Sequence, residues 1–274
     1  MVVQEKRGII MKDPDSITIQ RADAEDAEVL TETCRKAFDS DSEFGAPGTG
    51  GPPGYDSLDW NIDKIKNRYL RYYKILEGST IVGGFIVGNR GSNYQVCERI
   101  WIDPDQMRKG MGTKTFNLIW KEYPSADLWV LGTSEWNTRT NPFYQSIGFV
   151  RIGTTHEHSW DGVYYEKRIT DEFPKAMSKI EDIRDGQQRV IVEGRVANIS
   201  GPRPVSSRKT GEELKVADVT ISDDTGSIKL VLWNKQIPQV NVNTSIRIEE
   251  GYVKTYRDEL QMSVGQWGMI ITLI

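Results

Sequence analysis

The chain has 274 residues, of which 38% are hydrophobic and 27% charged, the composition of a soluble globular protein with one large or two ordinary domains. No run approaches the ~20 apolar residues that span a bilayer, so a membrane protein is not expected. The formal net charge is −4, and residues 176–274 hold 13 basic and 13 acidic residues, so any nucleic-acid binding must depend on a local patch.

The two cysteines, Cys34 and Cys97, are far apart in the sequence. This spacing gives neither a disulfide framework nor a zinc motif, and both residues are expected to be small buried hydrophobes. We therefore expect a reducing, cytoplasmic setting. Residues 1–16 place Lys6, Arg7 and Lys12 around a very short apolar stretch without a signal-peptide core, which predicts an N-terminal tail.

Alternation predicts a first strand over residues 17–21, and apolar residues at helical spacing predict a helix over 24–38. Residues 40–55 are dense in glycine and proline and cannot hold a helix or a central strand. A connection this long indicates a binding loop or lid, with disorder as the alternative. A second helix is predicted over residues 56–68.

Three strands joined by tight turns follow, over residues 69–76, 80–88 and 94–102. Asp103-Pro104 ends the third strand, and a helix opens at about residue 108 and runs to 123. Gly110 and Gly112 lie where strand turns into helix, so the backbone can approach a ligand closely. Free amides at the helix start favour an anion, which predicts a phosphate site; a ligand-free turn is the alternative.

A buried strand is predicted over residues 127–132, a helix over 141–147, and closing strands over 149–152 and 160–168. His156 and His158 stand two apart in this last hairpin. No third ligand accompanies them, so a solvated hairpin is favoured and no metal site is expected.

The strand, Asp-Pro, Gly110-Met111-Gly112 and helix together resemble the acetyl-coenzyme A loop of the GNAT acetyltransferase superfamily. A second motif, Asn137 with Tyr144 and Gly148-Phe149, resembles the Asn-x6-Tyr-x3-Gly-Phe of the same family. Met107 departs from the family's Gln or Arg, which is tolerable because backbone amides hold the pyrophosphate in this family. The resemblance covers residues 17–168 and implies acetyl-coenzyme A as the cofactor.

The resemblance also assigns roles to residues. The backbone of Trp101 and Ile102 and the side chain of Asn137 would bind the pantetheine arm, in the gap between two splayed strands. Tyr144 would protonate the departing thiolate, with core packing as the alternative. The pyrophosphate contacts are assigned to the loop and the start of its helix: Arg108, Lys109, Gly110, Met111, Gly112 and Thr113.

Acetyl transfer also needs a base, because an acceptor amine arrives protonated. Glu98, on the strand before the loop, is the first candidate and Glu135 the second, although either is more often a solvated charge. In this family the segment between the first two helices shapes the acceptor pocket, which predicts acceptor contacts from Tyr55, Asp56 and Trp60.

Residues 171–185 are predicted to be a linker with a short amphipathic helix. Beyond it the apolar period becomes two, with strands over 189–199, 216–222, 227–233, 245–256 and 259–264, and a polar, basic loop over 200–214. Five strands with one connector after the third are typical of a Greek-key barrel of the OB type.

Residues 186–270 resemble the single-stranded DNA-binding OB folds of the replication protein A type, through Asp223-Asp224-Thr225-Gly226, Leu232-Trp233-Asn234 and Gly251-Tyr252-Val253-Lys254-Thr255-Tyr256. Such barrels hold single strands with basic groups and aromatic platforms. The alternative is that Trp233 and Trp267 are core aromatics and the barrel mediates protein contacts. The nucleic-acid contacts predicted are Arg203, Arg208, Lys209, Lys229, Trp233, Lys254, Tyr256 and Arg257.

The predicted fold class is α+β, with a GNAT-like, mainly antiparallel sheet and flanking helices followed by an all-β OB barrel. The predicted divisions are a tail (1–16), an acetyltransferase domain (17–170), a linker (171–185) and an OB domain (186–274). We expect an N-acetyltransferase whose barrel binds single-stranded DNA or RNA or recruits the amine acceptor. The alternative is a non-catalytic coenzyme A-binding, nucleic-acid-binding or protein-interaction module. The acceptor, and whether the chain forms a homodimer, are left open.

Overall fold

The computed structural model describes residues 17–91, 93–107, 110–157, 160–206 and 210–274. Two units make up the chain: one runs to residue 91 and includes Val96–Ser125, and the other is formed by Asn93–Gln95 and Ala126–Ile274. The domain boundaries at residues 170 and 186 stay a prediction. Several predicted residues lie outside the described ones: Arg108, Lys109, His158, Arg208 and Lys209, together with the side chains of His156 and Trp267.

The first unit has four strands in the order β1-β2-β3-β4, with β1–β2 and β2–β3 antiparallel. Side-chain caps start its helical segments: Asp23 accepts a hydrogen bond from the Glu25 amide and Ser57 accepts one from the Trp60 amide. The elements are β1 (Ile17–Arg21), α1 (Ala27–Asp39), α2 (Leu58–Lys66), β2 (Leu70–Glu77), β3 (Thr80–Asn89), β4 (Tyr94–Ile102, which begins in the second unit) and α3 (Met111–Glu122).

The core of this unit forms where the apolar face of α1 packs on the sheet. Apolar spacing along α1 is therefore satisfied by burial, as predicted. Residues 40–55 contain only a 3-10 turn, Ser40–Phe44, and no strand or α-helix. No described helix in either unit is both long and apolar enough to cross a bilayer. The buried residues of this core include Leu30, Cys34, Ala37, Tyr72, Ile86 and Trp101.

The second unit places its strands in the order β5-β7-β6-β13-β11-β10-β8-β12, with β9 beside β10. Because β12 pairs with both β8 and β13, strands β8, β10, β11, β13 and β12 close into a five-stranded barrel around an apolar core. The predicted fold class is confirmed. The elements are β5 (Leu128–Ser134), α4 (Thr140–Ser146), β6 (Val150–Glu157), β7 (Trp160–Arg168), β8 (Gln188–Ile199), β9 (Arg203–Ser206), β10 (Glu213–Ser222), β11 (Ser227–Trp233), β12 (Ser245–Tyr256) and β13 (Glu259–Leu273).

The predicted linker helix at 171–185 is wrong, since the segment contains only the 3-10 turn Ile180–Asp182. Three of its amides bond outward instead: that of Lys175 to Asp127 Oδ2 (3.0 Å), that of Ser178 to the Ile191 carbonyl (2.8 Å) and that of Ile180 to Asp223 Oδ2 (2.9 Å). The apolar pattern that suggested a helix reflects burial against the barrel core.

Two barrel elements differ from expectation. The predicted loop at 200–214 contains β9, which pairs with β10. The last strand, predicted to end at residue 264, continues to Leu273 and pairs through Thr272 with Thr154 of β6. The barrel strand β13 therefore extends the sheet that contains β5, β7 and β6.

An ion cluster is buried where β7, β8 and β12 meet in the second unit. The side chain of Arg247 is 1% exposed and donates to Glu166 Oε2 (2.6 Å) and Glu193 Oε1 (2.9 Å). Tyr94 donates to Glu249 Oε2 at 2.6 Å. Burial alone would lower the pKa of Arg247, but the surrounding carboxylates outweigh it and raise that pKa.

Candidate functional site

The glycine loop begins where β4 ends. The Asp103 side chain accepts a hydrogen bond from the Asp105 amide (3.0 Å), which fixes the 3-10 turn Pro104–Gln106. Met107, which takes the position of the family's Gln or Arg, packs among apolar residues of the core. Gly110 adopts a left-handed conformation (φ +72°), and a Cβ there would meet no atom within 4 Å. The left-handed backbone favours glycine, and the space beside it is open.

Helix α3 starts directly after Gly110, which has no side chain that could cap the helix. Among the described residues, no side chain caps the α3 N-terminus, and its first turn has no acidic residue. The amides of Met111, Gly112 and Thr113 occupy the positions that have no partner within a helix. Together with the helix dipole, these amides can hold an anion such as a diphosphate.

The remaining predicted residues of β4 have mixed surroundings. Trp101 is 3% exposed, and its indole N–H donates to Thr33 Oγ1 (3.1 Å). Ile102 is also buried, next to Met111. Glu98 is exposed and pairs with Arg90 at 3.0 Å. The backbone role predicted for Trp101 and Ile102 and the base role predicted for Glu98 stay predictions.

In the second unit, Asn137 and Tyr144 are both buried. The Asn137 side-chain oxygen accepts from the amides of Arg139 (3.0 Å) and Thr140 (2.9 Å), which anchors the start of α4. The Tyr144 ring lies 6.1 Å from each of the rings of Phe149 and Tyr165. These contacts fix both side chains in place, while their ligand roles stay predictions.

Asn141 organises the loop between β5 and α4, a role that the sequence motif did not indicate. Its amide nitrogen donates to the carbonyls of Ser134 (3.0 Å) and Asn137 (2.7 Å), and its oxygen accepts from the Tyr165 hydroxyl (2.9 Å). Glu135 lies in the same loop, is 66% exposed and pairs with Arg151 at 2.9 Å.

The predicted acceptor residues lie in and after the glycine- and proline-rich loop of the first unit. The Tyr55 hydroxyl donates to Asp39 Oδ1 (3.1 Å), and burial together with that carboxylate raises the pKa of Tyr55. The Trp60 ring packs on Gly54, where any Cβ would lie 2.2 Å from the ring. Asp56 is exposed.

Arg99 joins this group, and sequence analysis missed it. Its guanidinium carbon lies 4.2 Å from the centre of the Trp60 ring, and its Nη2 donates to the Pro53 carbonyl (3.1 Å). Alternation along β4 places Arg99 on the same side as Trp101 and would have indicated that it faces the core.

On the barrel, strand register places four of the predicted nucleic-acid residues on one outer face: Lys229, Trp233, Lys254 and Tyr256. Lys229, Gln261 and Lys254 are cross-strand neighbours on β11, β13 and β12. Trp233 and Tyr256 belong to the same face by alternation and are 36% and 53% exposed. Trp233 is therefore no core residue, and an aromatic and basic surface is present.

Tyr252 belongs to the same face and was missed, although it alternates with Lys254 and Tyr256 along β12. It is 36% exposed. The Arg257 guanidinium lies 5.3 Å from the centre of the Tyr256 ring.

Acidic groups reduce the positive charge of this face. Lys229 pairs with Glu259, and Arg203 lies 3.4 Å from Asp218. The aromatic rings are therefore its more distinctive feature.

Comparisons with known proteins match the two parts separately. Residues 36–149 match the family model of the acetyltransferase (GNAT) family, and residues 187–272 match that of the Ssb-like single-stranded DNA binding proteins with an OB fold. Replication factor A of Methanothermobacter thermautotrophicus is 34% identical over 93 residues, which are 33% of this chain and 12% of that protein. The single-stranded DNA binding protein Ssb of Saccharolobus solfataricus is 24% identical over 87 residues, 32% of this chain and 57% of that protein. The chain thus spans less than two thirds of these curated relatives.

Among solved structures, the PaiA N-acetyltransferase of Thermoplasma acidophilum in complex with coenzyme A is 18% identical, with a TM-score of 0.46, covering 56% of this chain and 99% of that one. A replication factor A related protein of Methanobacterium thermoautotrophicum is 29% identical, with a TM-score of 0.32, covering 36% and 92%.

Proposed function

We propose that this chain, in which a GNAT acetyltransferase domain is followed by an Ssb-like OB fold, is an acetyl-coenzyme A-dependent N-acetyltransferase whose barrel binds single-stranded nucleic acid. The single observation that carries the proposal is the start of α3. Its amides lack a side-chain cap among the described residues, and the space beside Gly110 is open. A helix start of this kind suits a diphosphate.

Acetyl-coenzyme A supplies an activated acetyl group as a thioester. The amides of Met111, Gly112 and Thr113 would bind its diphosphate. Tyr144, which is buried among aromatic rings, would donate a proton to the coenzyme A sulfur as the thiolate leaves. Asn137 positions the pantetheine arm.

The acceptor amine loses its proton before it attacks the thioester carbonyl. Glu98 remains the first candidate for this base and Glu135 the second. Each carboxylate already accepts a hydrogen bond from an arginine, Arg90 or Arg151. We therefore propose that a water molecule relays the proton to the carboxylate.

The barrel binds single strands by stacking bases on exposed rings. The rings of Trp233, Tyr252 and Tyr256 on one face support this role, with Lys229 and Lys254 beside them to contact phosphates. The acetyl acceptor is then an amine that the barrel brings to the enzyme, on the nucleic acid or on a protein bound to it.

A second candidate is a non-catalytic module that binds coenzyme A as a sensed or structural ligand. The ion pairs that engage both candidate bases favour it, because neither carboxylate is poised as an isolated base.

Coenzyme A release over a panel of amines separates the two candidates. Free thiol is a suitable readout because Cys34 and Cys97 are buried. Release that depends on both amine and acetyl-coenzyme A supports the enzyme. Tight cofactor binding without release from any amine supports the sensing module.

A further inference from the structure

Arg99 is held between two aromatic rings in the first unit. Its guanidinium carbon lies 4.2 Å from the centre of the Trp60 ring and 5.6 Å from that of the Phe38 ring. Because each contact is made over a ring, the guanidinium is oriented and its hydrogen bonds must be made in its own plane. Such an arginine is preorganised to recognise a planar anion.

Arg99 forms no ion pair with a described residue, and the neighbouring carboxylate of Glu98 acts on its charge without contacting it. The Arg99 hydrogen bond goes to a backbone oxygen, that of Pro53, and Nη1 is buried without a partner. The adjacent Cys34 cannot act as the anion that pairs with Arg99, because burial raises the pKa of its thiol to about 12 and keeps it neutral. Burial also lowers the pKa of Arg99 itself, the mark of a cation whose surroundings do not offset the loss of water.

Two nearby acids are engaged elsewhere. Glu98 pairs with Arg90, and Asp39 pairs with Arg35 and accepts from the Tyr55 hydroxyl. The bond from Arg99 Nη2 to the Pro53 carbonyl lies at the exposed surface of the loop. The Nη2 edge of the guanidinium is therefore accessible from solvent. An anion arriving from solvent can therefore use the Nη2 edge without breaking an ion pair.

We propose that Arg99 is a carboxylate subsite of the acceptor pocket, so that the acceptor is an amine that also carries a carboxylate. This inference rests on the proposed acetyl transfer and deepens it. Two oxygens in one plane match the fork of an oriented guanidinium, and Trp60 belongs to the predicted acceptor contacts.

The kinetic test uses matched acceptors on the full chain: ω-amino acids, their amides, and phosphoethanolamine. The wild type should favour each acid over its amide by about 10- to 100-fold in kcat/KM, as a charged hydrogen bond predicts. Arg99→Met should abolish that preference through KM, and Arg99→Lys should keep only part of it. Lys64→Met is the control, because it removes another cation near the Trp60 ring (5.0 Å) and should leave the preference intact.

A binding test works without turnover. The indole resonance of Trp60, identified by its loss in Trp60→Phe, should shift on titration with propionate and not with propionamide. The propionate shift should disappear in Arg99→Lys or Arg99→Met, whichever circular dichroism shows to be folded. If no amine is acetylated, the proposed function fails while this titration still tests the subsite.

Peptides separate two sources of the carboxylate. Preference for N-terminal Asp peptides over Asn peptides assigns the subsite to a protein substrate, and acetylation of free amino acids alone assigns it to a metabolite. Equal use of acid and amide by the wild type, a preference unchanged in folded Arg99→Met, or a stronger preference for phosphoethanolamine would overturn the carboxylate subsite.

Discussion

At the scale of the residue, Tyr144 combines burial with a position in a cluster of aromatic rings, 6.1 Å from the ring of Tyr165. Tyr144→Phe removes the proposed acid while keeping the ring. We expect kcat to fall by about 10²- to 10⁴-fold, the usual contribution of general acid catalysis, with the affinity for acetyl-coenzyme A unchanged. Steady-state kinetics and calorimetry measure the two quantities.

Tyr165→Phe is the control, because it removes a hydroxyl from the same cluster, one that donates to Asn141 at 2.9 Å. Its effect should appear mainly in the free energy of unfolding, by about 1 kcal/mol. If both variants keep the wild-type kcat, Tyr144 is a packing residue.

Residue types predicted some site positions and not others. Gly110 was found because a glycine at a strand-to-helix turn is visible in the sequence itself, and its left-handed backbone favours glycine. Arg99 was not found, because what marks it is a guanidinium packed on aromatic rings without an ion pair to a described residue. That depends on Phe38, Pro53 and Trp60, which lie on other elements.

At the scale of the element, the start of α3 can be tested by charge. Gly110→Asp and Gly110→Asn both suit a left-handed backbone and enter open space, and they differ in charge. The aspartate should cap α3 and repel the diphosphate. We expect it to weaken acetyl-coenzyme A binding about 10-fold relative to the asparagine variant, measured by calorimetry. Equal affinities would show that the diphosphate binds elsewhere.

The outer face of the barrel gives a prediction about stacking. Trp233→Ala and Tyr252→Ala should each cost about 1–3 kcal/mol of affinity for a single-stranded oligonucleotide, measured by fluorescence anisotropy. Tyr69→Ala, which removes a ring 48% exposed in the first unit, should have no effect. Lys254→Met should reduce the salt slope by about 0.7. If the barrel contacts only proteins, the four variants and the wild type will all bind the oligonucleotide equally weakly.

Element positions were predictable wherever apolar period and turn residues agreed, as in α1, β4 and β11. The predictions of element positions were wrong where contacts with other elements determine the local structure. The segment 171–185 has an apolar pattern, but three of its amides bond to Asp127, Ile191 and Asp223 on other elements and not along a helix of its own. The extension of β13 depends on its partners on β12 and β6, which its own sequence does not reveal.

At the scale of the whole molecule, the buried ion cluster of the second unit joins barrel strands to β7 and to the start of β4. Arg247→Met removes the buried cation that pairs with the carboxylates of Glu166 and Glu249 and leaves Glu166 with Arg168 alone. We expect a loss of about 3–5 kcal/mol in the free energy of unfolding, measured by urea denaturation.

Arg168→Met is the matched control, because Arg168 also pairs with Glu166 (2.8 Å) but is 42% exposed. Its cost should be at most about 1 kcal/mol. Similar losses for the two variants would mean that the buried cluster contributes no more than a surface ion pair.

The central claim is that the amides at the start of α3 bind the diphosphate of acetyl-coenzyme A. Calorimetric titration of the intact chain with acetyl-coenzyme A and with acetylpantetheine, which carries the same thioester without the diphosphate, tests it most directly. We predict clear binding of acetyl-coenzyme A and a loss of at least about 10-fold in affinity for acetylpantetheine. Equal affinity for the two compounds, or no heat from acetyl-coenzyme A at millimolar concentration, would contradict the account.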